Sequence, residues 1–168
     1  MAVGYDAGGD ISTGKQNTLV GGEAGDSITT GNNNVAIGYL ALGAETTGDR
    51  NVAIGTGALD AQNNTTGSNI YNVGVGYAAG SAVTSGTQNT IVGGLAGDAM
   101  TTGSNNSFFG MSAASSGVVT GNSNSAFGVN SLLALTSGAN NTCVGDSSGV
   151  SVETGSNNLL LGHDAGRS

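Results

Sequence analysis

A short apolar segment recurs along the whole chain, and each copy lies between an Asn and a Gly. The segment has three residues, as in Val35-Ala36-Ile37 and Val52-Ala53-Ile54, and its third residue is always large and apolar. Alternation of this kind predicts a short β-strand in each copy, because neighbouring residues of a strand point to opposite faces. The third-position column reads Val20, Ile37, Ile54, Val75, Val92, Phe109, Phe127, Val144 and Leu161.

The copies follow one period. The Gly after the segment recurs at gaps of 17, 17, 17, 21, 17, 17, 18, 17 and 17 residues from Gly4 to Gly162, and a second Gly column, from Gly14 to Gly155, often follows a Thr. An Asn column precedes the segments, from Asn17 to Asn158. This regularity predicts an all-β fold: a parallel β-solenoid of about ten 17-residue coils, with residues 1–168 as one array and an expanded coil at 56–76.

The columns predict an inside and an outside for each coil. We expect the third-position column to point inward, with a small residue four positions later closing the same interior, as Ala41 follows Ile37. The Asn column should form a hydrogen-bonded ladder along the stack, and the Gly after Thr should allow a positive φ at a turn. The middle strand residues would then form an outer apolar stripe, which predicts an oligomer interface at Leu19, Ala36, Ala53, Ile91, Phe108, Ala126, Cys143 and Leu160.

Composition narrows the function classes. The chain has 32 Gly, no Pro and a net charge of -8, with only Lys15, Arg50 and Arg167 as basic residues. Collagen is excluded because no Gly-X-Y period exists, and nucleic acid is a poor partner because phosphate binding needs clustered basic residues. The sequence has no run of about 18 apolar residues that could cross a bilayer. The placed glycines explain a content that would otherwise indicate disorder.

Chemistry-bearing residues follow the repeat instead of interrupting it. His163 is the only His and lies at a variable surface position, while Cys143 lies in the packing column. The acidic residues do not form the regular Asp column that a calcium-binding β-helix needs. Their spacing does not single out a pair of carboxylates for glycan cleavage either. We therefore expect no catalytic residue, cofactor or metal, and no enzyme. Paired Thr residues such as Thr29-Thr30 raise ice binding as an alternative, but a turn explains them more simply.

The expanded coil is the strongest local anomaly. Its extra residues fall in two groups, at 60–65 and at 68–72, and the second group adds Ile70 and Tyr71 outside the columns. We expect this bulge to contact a partner or glycan, with a tolerated insertion as the alternative. Tyr39 and Tyr77, at the variable position after the first Gly column, are further predicted partner contacts.

The repeats resemble those of two protein families. Units such as Asn34-Val35-Ala36-Ile37-Gly38 resemble the heads of trimeric autotransporter adhesins of the YadA type, and Thr101-Thr102-Gly103-Ser104-Asn105-Asn106 is similar to repeats of phage tail-fibre proteins. The resemblance implies a left-handed β-roll, a homotrimer, and a place in a virion or on a cell surface. Adhesin repeats are usually shorter than 17 residues, and no anchor or signal is visible here, so the phage fibre is favoured.

The expected function is therefore a structural fibre segment whose outer loops bind a host-surface glycan or protein. The two ends of the array have nearly the same phase of the repeat, which predicts continuation of the solenoid, covalent or by end-to-end stacking. A self-assembling extracellular filament or a cell-surface adhesin is the alternative. A glycan depolymerase comes third.

Overall fold

The computed structural model describes residues 1–65 and 69–167. The predicted Gly67 of the second Gly column, the Ser68 that begins the second expansion, and the terminal Ser168 lie outside this part. The described chain forms a single parallel sheet of ten strands in sequence order, one strand per coil, and so confirms the predicted β-solenoid. Among these residues no helix is long or apolar enough to span a membrane. The strands are β1 Ala2–Val3, β2 Thr18–Val20, β3 Val35–Ile37, β4 Val52–Ile54, β5 Val73–Val75, β6 Thr90–Val92, β7 Ser107–Phe109, β8 Ser125–Phe127, β9 Thr142–Val144 and β10 Leu159–Leu161.

The register follows the repeat without a slip. Each strand residue pairs with its equivalent in the next coil, as Ala36 does with Ala53. The pairing continues across the expanded coil, where Ala53 lies opposite Gly74. The four extra residues are therefore absorbed outside the sheet, and the columns stay aligned along the stack.

The middle residue of each strand points into the coil, so the predicted direction of the strands is wrong. In β2 to β9 this residue is completely buried within the single chain, and Leu160 of β10 is partly buried. A residue buried inside its own coil cannot line an interface with another chain. The correction applies to the predicted oligomer-interface residues Leu19, Ala36, Ala53, Ile91, Phe108, Ala126, Cys143 and Leu160.

The buried middle column varies in size, and another position in the same coil compensates for the variation. Where the strand residue is large, as Leu19 is, the residue six positions later is Gly25, and a Cβ there would lie 2.9 Å from Leu19 Cδ2. Where the strand residue is Ala36, the residue six positions later is Leu42, and both are completely buried. The two positions thus compensate for each other in size, which keeps the core volume nearly constant. The coil with Gly74 and Gly80 is the exception, and there Leu59 of the preceding coil fills the space.

The predicted Asn ladder and the predicted small column are confirmed. The backbone N–H of Asn106 donates to Asn89 Oδ1 at 2.9 Å, and the side-chain Nδ2 of Asn89 donates to Gly103 O at 2.9 Å. Both Asn side chains are completely buried, and their equivalents repeat the pattern along the stack. The small column is buried from Ala24 to Ser148.

The two Gly columns are required for different reasons. Gly38 has φ +137°, and a Cβ there would lie 2.6 Å from the carbonyl carbon of Gly55 in the next coil. Gly103 does not have a positive φ, but its Cβ would lie 2.6 Å from Gly121 O. The expectation of a positive φ at the Gly after Thr is therefore wrong, since close approach of stacked backbones excludes a side chain there.

Candidate functional surfaces

The first and third residues of the strands form one flat surface, which we call the outer sheet face. Its third-position residues are all apolar and partly or largely exposed: Ile37, Ile54 and Phe127 have exposed fractions of 38%, 37% and 40%. The Phe109 and Phe127 rings stack with their centroids 5.0 Å apart. The first-position residues are Thr18, Val35, Val52, Val73, Thr90, Ser107, Ser125, Thr142 and Leu159, so this face carries no charged side chain within β2 to β10.

The predicted inward direction of the third-position column is thus wrong as well. The side chains that were expected in the core lie on the outside, and the stripe that was expected outside lies in the core. Because both columns are apolar, exchanging the two faces still leaves an apolar surface on the single chain. An exposed apolar surface of this length favours self-association, and here it is the outer sheet face.

The expanded coil presents only one of the two residues expected to contact a partner. Ile70 is buried, with its amide N–H donating to Asp49 O at 3.1 Å, so it is not available to a partner. Tyr71 is exposed, and the Arg50 guanidinium lies 5.7 Å from the centre of its ring. The bulge therefore anchors itself in the coil through Ile70 and shows Tyr71 to solvent.

A buried carboxylate in this region was missed by the sequence analysis. Glu45 is completely buried at a core position that Ile28 and Met100 occupy in other coils. Its Oε1 accepts from the Gly48 amide N–H at 2.7 Å, and its Oε2 accepts from Gln62 Nε2 at 2.8 Å. Gln62 Oε1 in turn accepts from Asn72 Nδ2 at 2.8 Å. Two successive polar residues, Glu45 and Gln62, in a column that is otherwise apolar were the available signal. The hydrogen bonds of Glu45 are all internal and indicate a structural role.

The titratable residues at the surface do not converge on one point. His163 is largely exposed, with Nδ1 3.4 Å from Asp164 Oδ2. Burial raises the pKa of Asp60, and the negative charge of Asp26 raises it further. Burial also raises the pKa of Asp98. Within residues 1–65 and 69–167 no three His, Cys, Asp or Glu side chains are grouped as a metal site would require, and no pocket opens.

Cys143 is buried in the core instead of in an interface. Burial raises the pKa of its thiol, and a hydrogen bond from Ser148 only partly opposes that effect. The thiolate, which is the reactive form, is therefore disfavoured. The residue behaves as a small apolar side chain of the middle column.

Tyr39 and Tyr77 are exposed, as a contact with a partner requires. Tyr5 occupies the equivalent position of the first coil and is also exposed.

A scan against protein-family models finds no match for this chain, and searches of curated proteins and of solved structures find none either.

Proposed function

We propose that this chain is a non-enzymatic structural segment of a fibre, in which copies of the chain associate through the outer sheet face. The resemblance of its repeats to phage tail fibres and to adhesin heads favours a homotrimer in a virion fibre or a similar surface fibre. The observation that carries the proposal is the apolar, uncharged third-position column, which continues from coil to coil without a break.

The dimensions of the outer sheet face support association. Ten parallel strands about 4.8 Å apart make a strip about 45 Å long, and three residues make it about 10 Å wide. Such a strip covers about 450 Å², which is within the range of about 300–600 Å² for the largest apolar patch of a monomeric protein, and patches of that size often have a binding function. Its residues repeat with the coil, so the same contacts recur along the whole strip when a second copy lies against it.

The polar groups support a structural role over a catalytic one. Glu45 is committed to hydrogen bonds inside the coil, and the Asn ladder binds one coil to the next. These groups serve the stacking of the coils. A self-assembling filament is the second candidate, and it differs in adding strand pairing between chains stacked end to end.

Mass measurement by light scattering during size-exclusion chromatography tests the proposal. We expect a discrete species of three chains, and we expect Ile54→Lys combined with Phe127→Lys to dissociate it, since the charges would be buried against an apolar surface. Thr102→Lys, at an exposed position outside the strands, is the control and should keep the oligomer. Open-ended polymers would favour the filament, and a stable wild-type monomer would refute association.

A further inference from the structure

Three exposed tyrosines lie in one column, which we call the tyrosine row: Tyr5, Tyr39 and Tyr77. Each directly follows the first Gly of its coil, and their exposed fractions are 80%, 51% and 64%. They occur in every second coil. The row begins two residues after the third-position column, beyond the bend at this Gly.

The coils between the tyrosines carry small residues at the same position, and this makes room for the rings. Gly22 and Thr56 separate the three tyrosines, and Gly94 follows Tyr77. A Cβ at Gly22 would lie 3.4 Å from Cδ2 and 3.9 Å from Cε2 of Tyr39. One edge of the Tyr39 ring therefore rests close to the bare backbone of the preceding coil, while half of the side chain stays open to solvent.

Backbone hydrogen bonds fix the spacing of the row. The residue after the column donates its N–H to the carbonyl of the column in the preceding coil: Glu23 N to Tyr5 O at 2.8 Å, Gly57 N to Tyr39 O at 2.9 Å, and Leu95 N to Tyr77 O at 2.8 Å. The expanded coil does not interrupt this ladder, since Ala78 N still donates to Thr56 O at 2.9 Å. The backbone positions that carry the rings are thus two coils apart, which is about 9.6 Å at the usual strand spacing.

We propose that the tyrosine row binds an extended, neutral, β-1,4-linked polysaccharide lying along the solenoid axis. In such a chain each pyranose ring advances by nearly the height of one coil, and alternate rings present the same face because successive rings are turned over. Tyrosines in every second coil therefore meet the same apolar face of alternate sugars, and the small residues between them leave room for the intervening sugars. Aromatic rings supply large, rigid apolar contact area for such stacking.

The charge of the chain selects a neutral ligand. Its net charge is -8, and none of Lys15, Arg50 and Arg167 belongs to the row. Uronate-rich or sulfated polysaccharides would be repelled by this acidic surface. The ligand is therefore a β-1,4-linked glucan, mannan or N-acetylglucosamine polymer. Because no residue of the row belongs to the outer sheet face, this binding does not require self-association.

Calorimetric titration with cellohexaose, mannohexaose and chitohexaose tests the proposal, with maltohexaose, a coiled α-1,4-linked glucan, as the ligand control. We expect at least one β-1,4-linked hexasaccharide to bind more tightly than its own disaccharide, because the row spans five coils. Tyr39→Ala, at the centre of the row, should weaken that binding by about tenfold through loss of one of three stacking surfaces. Val118→Ala truncates an exposed apolar side chain outside the row and should leave binding unchanged.

Three results would overturn the proposal: no measurable binding of any β-1,4-linked hexasaccharide, equal binding of maltohexaose, or equal weakening by Tyr39→Ala and Val118→Ala. Thermal unfolding of both variants verifies that the fold is kept, as expected for exposed side chains. Binding by the dissociated Ile54→Lys/Phe127→Lys variant separates this proposal from the fibre proposal, because loss of the oligomer should leave the row intact.

Discussion

The inner and outer faces of the same three-residue strands follow opposite rules. On the inner face the middle residue ranges from Gly74 to Phe108, and every one in β2 to β9 is completely buried. On the outer face the third residue is always large and apolar, yet it stays partly or largely exposed. The inner face tolerates variation because the chain itself compensates: at Gly74 the Leu59 side chain fills the space where a Cβ would be, with its Cγ 2.8 Å away.

The outer face has no such compensation within the described residues. Its uniformity suits contact with a surface that is itself repetitive, which a second copy of the chain provides. In this solenoid, residue size varies along the buried middle column of the strands. The third position on the outer sheet face is instead always large and apolar.

Truncating the largest inner side chain should have the greatest effect on this contrast. We expect Phe108→Ala to lower the free energy of unfolding by about 3–5 kcal/mol, because it removes buried area and leaves a cavity. Phe127→Ala, on the outer face, should lower the free energy of unfolding of the dissociated chain by less than about 1.5 kcal/mol, because the Phe127 ring is already partly exposed to water. Denaturant unfolding followed by circular dichroism measures both. Equal losses would contradict the assignment of the two faces.

Breaking the Asn ladder should be nearly as costly as opening the core. Asn89→Ala leaves the backbone N–H of Asn106 and the carbonyl of Gly103 without their buried partners. We therefore expect the free energy of unfolding to fall by about 2–4 kcal/mol. Thr102→Ala, at an exposed position, is the control. If the two variants unfold at the same denaturant concentration, the ladder does not hold the stack together.

Enlarging the inner face should be costly unless its compensating residue is reduced at the same time. Ala36→Leu overfills the coil and should lower the free energy of unfolding by about 1–3 kcal/mol. Adding Leu42→Gly reproduces the pairing of Leu19 with Gly25 and should recover most of that loss. Leu42 also has φ +56°, which glycine adopts without strain. Failure of the double variant to recover would contradict size compensation within the coil.

Thiol reactivity should distinguish adjacent residues on the two faces with the smallest disturbance. Cys143 is buried and its thiol pKa is raised by that burial, so at neutral pH little thiolate forms and a thiol reagent should modify it only after unfolding. A Val144→Cys variant carrying Cys143→Ala places the thiol on the outer face and should react at once in the dissociated chain. Absorbance of the released thiolate measures both rates, and rapid reaction of native Cys143 would place it on the surface.

Much of the fold could be predicted from the sequence, because stacking imposes the same requirement on every coil. The recurrence of Asn at positions such as Asn89 and Asn106 predicts a ladder, and the small column that includes Ala41 predicts a narrow interior. The directions of Ala36 and Ile37 could not be predicted from alternation alone, since a shift of one residue exchanges the two faces while keeping the pattern. The pairing of Leu19 with Gly25 and of Ala36 with Leu42 was the signal in the sequence that would have decided it.

The candidate surfaces were less predictable than the fold. Tyr39 and Tyr77 were singled out as exposed residues, but their alignment with Tyr5 at a spacing of two coils needs the register of the stack. Ile70 resembled a surface residue because it lay outside the columns, yet the coil closes over it. A position outside the repeat has no equivalents in other coils to indicate which way it points.

The sequence by itself determined the period, the parallel stacking and the residues that must recur: Asn where a backbone N–H needs a partner in each coil, and Gly where stacked backbones approach too closely for a Cβ. Only the tertiary structure decided which apolar column is inside. Repetition fixes what is equivalent along the axis of the stack, whereas inside and outside are fixed across that axis, by the volume that one turn of chain encloses. That volume admits one strand side chain in each coil and leaves the other two outside.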